Sequence, residues 1–179
     1  MVHHAIHAGL TLVVMAKFDL KVWCSLVQSN KISYSYVVPP IVLQLAKSAM
    51  VANYDLTTLR MLTSGAAPLT RELVEAVYAR LNIPVRQGFG LSETSPVTHI
   101  QPWNEWDATT GSVGKLLPNQ TAKYMSEDGE DGEEVSVVET GELWISGPNI
   151  FGGYLNNEAG TRNALTNDGY FRTGDGVSG

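Results

Sequence analysis

Residues 87 to 93 read Gln-Gly-Phe-Gly-Leu-Ser-Glu, and this short run concentrates the chain's chemical potential. Gly88 and Gly90 would let backbone approach a flat ligand or a phosphate closely, and the run follows a β-branched stretch, where the carboxyl end of a parallel strand would place it. Ser92 offers a hydroxyl to a phosphate oxygen. Glu93 offers a hard carboxylate to Mg²⁺, an ion that uses one or two protein carboxylates together with a substrate's phosphates. Two familiar alternatives fail on spacing. Glu93 occupies the third glycine position of the dinucleotide fingerprint, and Thr94 stands where a nucleophile elbow requires glycine. Taken alone, the run reads equally well as a turn.

The elements that must hold this run follow from periodicity. Short β-branched runs at Leu10 to Met15, Ser33 to Val38, Leu59 to Thr63 and Val85 to Phe89 alternate with helical patterns, which predicts a parallel sheet with crossover helices. Asp19 is placed to cap a helix carrying Val22, Trp23, Leu26 and Val27 on one face. Pro39 and Pro40 stop the second run and open another helix, and Thr70 to Leu81 forms a third with Leu73, Val74, Val77 and Leu81 inward. Beyond Glu93 the texture changes to short alternating strands, at Val97 to Ile100, Thr121 to Met125, Glu134 to Val138 and Glu142 to Ser146, with one helix near Asn157 to Leu165. The expected class is α/β: a partial parallel sheet with crossover helices, then an antiparallel β-rich part. Residues 1–105 form the first subdomain and 106–179 the second.

Composition narrows the function classes. With 179 residues, 44% hydrophobic and 17% charged, the chain has the make-up of a folded protein. A net charge of −6 gives no clustered basic footprint for nucleic acid or anionic membrane. No stretch approaches the ~20 apolar residues that span a bilayer. The apolar run at Leu10 to Ala16 is preceded by histidines and by no Lys or Arg, so a buried strand is expected there instead of a signal peptide. Cys24 is the single cysteine, which excludes an internal disulfide and favours a reducing compartment; its expected role is packing. The expected location is intracellular and soluble, cytoplasmic or peroxisomal. His3 and His7 are spaced to share a helical face, yet a metal site there lacks a third ligand. The acidic stretch Glu127 to Glu134 lacks calcium-loop spacing and reads as a solvated hairpin.

Four segments in order, SGAAPL (64–69), QGFGLSETSP (87–96), TGELWISGPNIFGGYLN (140–156) and GYFRTGD (169–175), resemble the adenylation domains of the acyl-CoA synthetase, luciferase and peptide-synthetase superfamily. HAGLTLVVMAKF (7–18) and VVPPIVLQLAKS (37–48) look most like its 4-coumarate:CoA ligase branch. The resemblance implies that Ser64, Gly65, Ala66 and Ala67 form one wall of an adenine and acyl pocket and that Gln87, Gly88 and Phe89 form another, with Gly90 in the loop that follows. It implies phosphate binding at Ser92 (usually threonine), metal binding at Glu93, ribose binding at Asp175, acyl contacts at Val97 and Ile100, and a CoA-linked role for Lys17. Phe89 replaces the more usual tyrosine, keeping a ring face and losing a hydroxyl.

The implied cofactors are ATP/AMP, Mg²⁺ and CoA, and the implied substrate is an aryl or fatty carboxylic acid. Two parts of the family pattern are absent from this sequence: the Gly/Ser/Thr-rich phosphate loop ending in lysine, and the small domain bearing a second lysine. The expectation is therefore an internal fragment, inactive alone, with a sheet edge open to self-association. Two other readings stay open. One is a non-catalytic AMP-binding or interaction protein, and the other is one half of a split enzyme.

Overall fold

A computed structural model describes residues 2–107, 111–126, 132–136 and 139–177. The chain falls into two compact units, Met1–Arg86 and Gln87–Gly179.

In the first unit, helix α1 (Val2–Ala8) precedes α2 (Leu20–Asn30), strand β1 (Tyr34–Val37), α3 (Pro39–Lys47), β2 (Met61–Ser64) and α4 (Arg71–Leu81). Asp19 caps α2, its carboxylate accepting the Val22 N–H at 2.8 Å, and Lys31 ends the helix in the left-handed region. Pro39 and Pro40 fill the first turn of α3, where a missing N–H costs nothing. β1 and β2 pair in parallel, Tyr34 opposite Met61 and Val37 opposite Ser64. Val27, Val42, Leu45, Leu62 and Val77 are fully buried between these elements, and Cys24 packs with them, burial pushing its thiol pKa up. Arg80 ties the layers together: its guanidinium donates to the carbonyls of Leu45, Ala46 and Ser48 at 3.0, 2.8 and 2.7 Å, satisfying the last turn of α3 from the neighbouring α4.

One expected strand is not formed. Leu10 to Met15 has no regular structure, and Leu10, Leu12 and Val14 are 55%, 41% and 75% exposed. An extended run becomes a strand only when a neighbour takes up its N–H and C=O groups, and among the described residues none pairs with it. The run's apolar composition stated what it could bury, not what was there to bury it.

Strand β3 (Val85–Phe89) leads into the second unit, which continues with β4 (His99–Ile100), β5 (Lys115–Leu116), β6 (Thr121–Met125), β7 (Glu134–Val135), β8 (Gly141–Ser146), α5 (Glu158–Ala164) and β9 (Phe171–Val177). The pairings β3–β4, β4–β5, β6–β7, β6–β8 and β8–β9 are antiparallel, as the alternating texture predicts. β6 and β7 face each other across the acidic stretch, whose residues 127–131 lie outside those described. The strand predicted at Glu134 to Val138 is β7 for two residues, and 137 and 138 are likewise outside.

The sheet β7-β6-β8-β9 buries Leu143, Ile145 and Phe171 on one face. Its other face carries a cross-strand row, Lys123 opposite Trp144 and Trp144 opposite Arg172. The Lys123 ammonium lies 5.1 Å from the Trp144 ring centroid and 4.1 Å from that of Tyr170, and the Arg172 guanidinium lies 4.7 Å from Trp144. Both distances to the indole are within cation–π range. No described helix is long and apolar enough to cross a membrane.

Candidate functional site

The loop that leaves β3 is built by one hydroxyl. Thr94 is fully buried; its Oγ1 accepts the Leu91 N–H at 2.9 Å and donates to the Pro96 carbonyl at 2.7 Å. These bonds close a single 3₁₀ turn, Ser92–Thr94, between the two ends of the loop. Ser92 and Glu93 occupy the first two positions of that turn, Ser92 exposed and Glu93 half-buried. Gly90 is exposed as well, yet a Cβ there would lie 1.7 Å from the Pro96 carbonyl oxygen and 2.7 Å from the Val97 Cα. The glycine is required by the backbone packed against it, not by its own conformation.

β3 is held to β4 by a reciprocal pair. The Gln87 N–H donates to Gln101 Oε1 at 2.6 Å, and the Gln101 N–H donates to the Gln87 carbonyl at 2.9 Å. Phe89 sits opposite His99 with ring centroids 6.0 Å apart, and Gly88 sits opposite Ile100. Val97 lies in the loop ahead of β4 and is 37% exposed.

His99 is 8% exposed with Nδ1 3.0 Å from the Thr98 hydroxyl, and burial holds its pKa below the ordinary 6.5. The unfolded chain therefore takes up this proton near pH 6.5, while the folded chain resists until lower pH. The contribution to stability is complete above the unfolded value and declines as pH falls toward the folded one. Thermal melts at pH 7.5, 6.5 and 5.5 should show a falling midpoint, and His99→Gln should flatten that fall; an equally steep fall in the variant would remove His99 as its cause.

Segments distant in sequence converge on the turn. The Phe151 N–H donates to the Glu93 carbonyl at 2.8 Å, Asn149 Nδ2 donates to the Thr94 carbonyl at 2.6 Å, and the Tyr154 hydroxyl donates to Glu93 Oε1 at 2.8 Å. That last bond and the charge of Glu93 raise the Tyr154 pKa above its usual 10. Asn149, Phe151 and Tyr154 fall within the 140–156 segment singled out above. Their partnership with Glu93 has no local signal, because Tyr154 and Glu93 are 61 residues apart.

Asp175 lies half-buried in β9, where the register to β8 slips: Trp144 pairs with Arg172 but Glu142 pairs with Gly176. The slip makes Thr173 to Asp175 a bulge, the kind of irregularity that redirects side chains. It is pinned by the Thr173 hydroxyl donating to the Leu143 carbonyl at 2.7 Å and by the Gly174 N–H donating to Glu142 Oε1 at 2.9 Å.

In the first unit, Ser64 ends β2 with its Oγ buried and without a hydrogen-bond partner among described groups. Gly65 is half-buried, whereas Ala66 and Ala67 are exposed, Ala66 with φ of 73° in the left-handed region that alanine rarely adopts. Lys17 is exposed.

A lone glutamate beside a serine hydroxyl fits Mg²⁺ brought in with phosphates, which completes its shell from substrate and water. No group of three or more His, Cys, Asp or Glu that would suit a metal held by protein alone occurs among the described residues. His3, His4 and His7 are exposed on α1.

Residues 1–155 match the model of the AMP-binding enzyme family, and the chain belongs to that family. It is 41% identical over 169 residues to Probable 4-coumarate–CoA ligase 2 of Dictyostelium discoideum, covering 93% of this chain and 30% of that protein. Among solved structures, a long-chain-fatty-acid–CoA ligase from Archaeoglobus fulgidus superposes with a TM-score of 0.83 at 31% identity, over 98% of this chain and 37% of the other. An ATP-bound MatB from Rhodopseudomonas palustris gives 0.84 at 25% identity, over 97% of this chain and 33% of the other. The chain thus spans about a third of the length of the relatives it matches.

Proposed function

We propose that this chain is part of an ATP-dependent carboxylic acid:CoA ligase and carries its nucleotide-binding loops. In the complete reaction a carboxylate oxygen attacks the α-phosphorus of ATP, pyrophosphate leaves, and the thiol of CoA then displaces AMP from the acyl-adenylate. The observation that carries this reading is the 3₁₀ turn at Ser92–Thr94, which sets a hydroxyl and a carboxylate side by side on a loop braced by a buried threonine. Phosphoryl chemistry depends on positioning and on charge neutralisation, and a braced turn supplies the first of these.

In this reading Ser92 donates to a phosphate oxygen and Glu93 holds Mg²⁺, whose charge offsets that of the phosphates when it is bound. Gln87, Gly88, Phe89 and Gly90 border the adenine, as do Ser64, Gly65, Ala66 and Ala67, and Asp175 accepts hydrogen bonds from the ribose hydroxyls. A carboxylate suits that last task because its two oxygens accept side by side. Val97 and Ile100 contact the acid's apolar portion, and Lys17 contacts CoA. Residues 1–105 would act as the subdomain of the adenine and acyl walls and 106–179 as the one ending at the ribose aspartate.

The sequence contains no Gly/Ser/Thr-rich loop ending in lysine, so the 179-residue chain alone is expected to bind Mg·ATP without turning it over. Pyrophosphate exchange with a panel of aryl and fatty acids, run beside a Glu93→Ala control, tests the absence of turnover, and equilibrium titration with Mg·ATP tests binding. Exchange no higher than in the control agrees with the proposal, and turnover clearly above it refutes inactivity. Failure to bind nucleotide refutes the assignment of nucleotide-binding loops to this chain.

A further inference from the structure

Glu93 sits on a turn where its side chain would otherwise sample many rotamers, yet it is held by a residue to which nothing above gives a role. Tyr154 donates its hydroxyl to Glu93 Oε1 at 2.8 Å, and although the residue is 40% exposed it is held through its backbone and one side of its ring. Its backbone N–H donates to Thr161 Oγ1 at 2.9 Å, and that hydroxyl donates to the Asn157 carbonyl at 2.9 Å, so α5 anchors the residue. The ring packs edge-on against Phe151 with centroids 4.8 Å apart, and Phe151 packs edge-on against the buried Phe171 of β9 at 5.6 Å. Phe151 closes the circuit by donating its own N–H to the Glu93 carbonyl at 2.8 Å. Backbone and side chain of Glu93 are therefore both tied to the segment between β8 and α5.

We propose that Tyr154 is a positioning residue for Glu93, holding one carboxylate oxygen so that the other is preorganised for a divalent cation carried in with nucleotide phosphates. The inference rests on the reading of Glu93 as the Mg²⁺ carboxylate. The donor's chemistry suits the task better than a salt bridge would. A lysine or arginine would fix the carboxylate equally well while neutralising the charge the cation needs, whereas a neutral phenol orients it and leaves that charge in place. A carboxylate offers about four lone-pair sites, so accepting one hydrogen bond leaves room for a metal bond. Groups that orient a metal ligand commonly carry a large share of the site's affinity.

The test is equilibrium binding of ATP to the intact 179-residue chain, with Mg²⁺ and separately with EDTA, for wild type, Glu93→Gln, Tyr154→Phe and the double variant. Phenylalanine keeps the ring contacts, and affinity in EDTA serves as the check on folding. The expected result is a loss of about tenfold in the Mg²⁺-dependent part of the affinity for Tyr154→Phe, little change in EDTA, and a double variant no weaker than Glu93→Gln alone. Thr161→Val, which loosens the Tyr154 backbone and leaves both interacting groups intact, should give a smaller loss in the same Mg²⁺-dependent part and covers the case in which Tyr154→Phe folds poorly. If Glu93→Gln abolishes the Mg²⁺ dependence while Tyr154→Phe and Thr161→Val retain it in full, the inference is wrong and the metal reading survives. If wild type has no Mg²⁺ dependence, or Glu93→Gln keeps it, the metal reading fails and the inference with it.

Discussion

Gly90→Ala is expected to cost the second unit at least about 3 kcal/mol, at or beyond the upper end for overpacking by a single carbon, and to abolish Mg²⁺-dependent nucleotide binding. The added Cβ would lie 1.7 Å from the Pro96 carbonyl oxygen, a backbone atom with no side-chain freedom to withdraw. Relief requires the strand side of the loop to part from the Pro96 side. That movement pulls on the bond between Thr94 Oγ1 and Pro96 and on the one between the Leu91 N–H and Thr94. Because Ser92 and Glu93 stand on the turn those bonds close, the site loosens before the sheet does. Gly152→Ala is the matched control: its Cβ meets nothing within 4 Å, and a change within about 0.5 kcal/mol is expected. Denaturation followed by tryptophan fluorescence measures the stability, and ATP titration measures the site. Equal behaviour of the two variants would show that the Gly90 loop has slack the geometry does not suggest.

Ile145→Ala should cost about 2–5 kcal/mol, the range for removing a large aliphatic side chain from a close-packed interior. Ile145 is fully buried on β8, the strand flanked by β6 and β9, with Ala122 and Phe171 as its cross-strand neighbours. A cavity in the middle of a four-stranded sheet has strands on both sides and little freedom to collapse. Since the chain divides into two units, a global probe could average two transitions. Trp144, adjacent in sequence and on the opposite face, reports on this sheet locally. Leu155→Ala, at a side chain 90% exposed, should stay near wild type. A loss below about 1 kcal/mol for Ile145→Ala would mean that the sheet repacks far more readily than a rigid core allows.

Much of this architecture is readable from local signals. The Asp19 cap, the prolines opening α3, the inward stripe of α4 and the alternation in β6 and β8 each depend on a few neighbouring residues, and each element forms where those residues predict. The Leu10 to Met15 run does not, because a strand is a property of two segments and the pattern describes one. The site divides the same way. Ser92 and Glu93 are conspicuous as residue types after a glycine-rich strand end. Thr94, by contrast, looks like ordinary loop composition until its hydroxyl is found bridging Leu91 and Pro96. Tyr154 lies inside the 140–156 segment that carries the family resemblance, but its link to Glu93 spans 61 residues and leaves no trace in spacing. The bulge that carries Asp175 is equally silent, being a mismatch of register between β8 and β9.

The row formed by Lys123, Trp144 and Arg172 bears on how this protein could be altered. A designer seeking better solubility would find two cations on a sheet face and treat both as free to exchange for glutamate. Either exchange would uncover an indole that the aliphatic stems and charged heads now shield, and a glutamate at position 123 would in addition replace the 3.2 Å ion pair between Lys123 and Asp168 with two acids. The outcome would be a stickier surface with a more favourable formal charge.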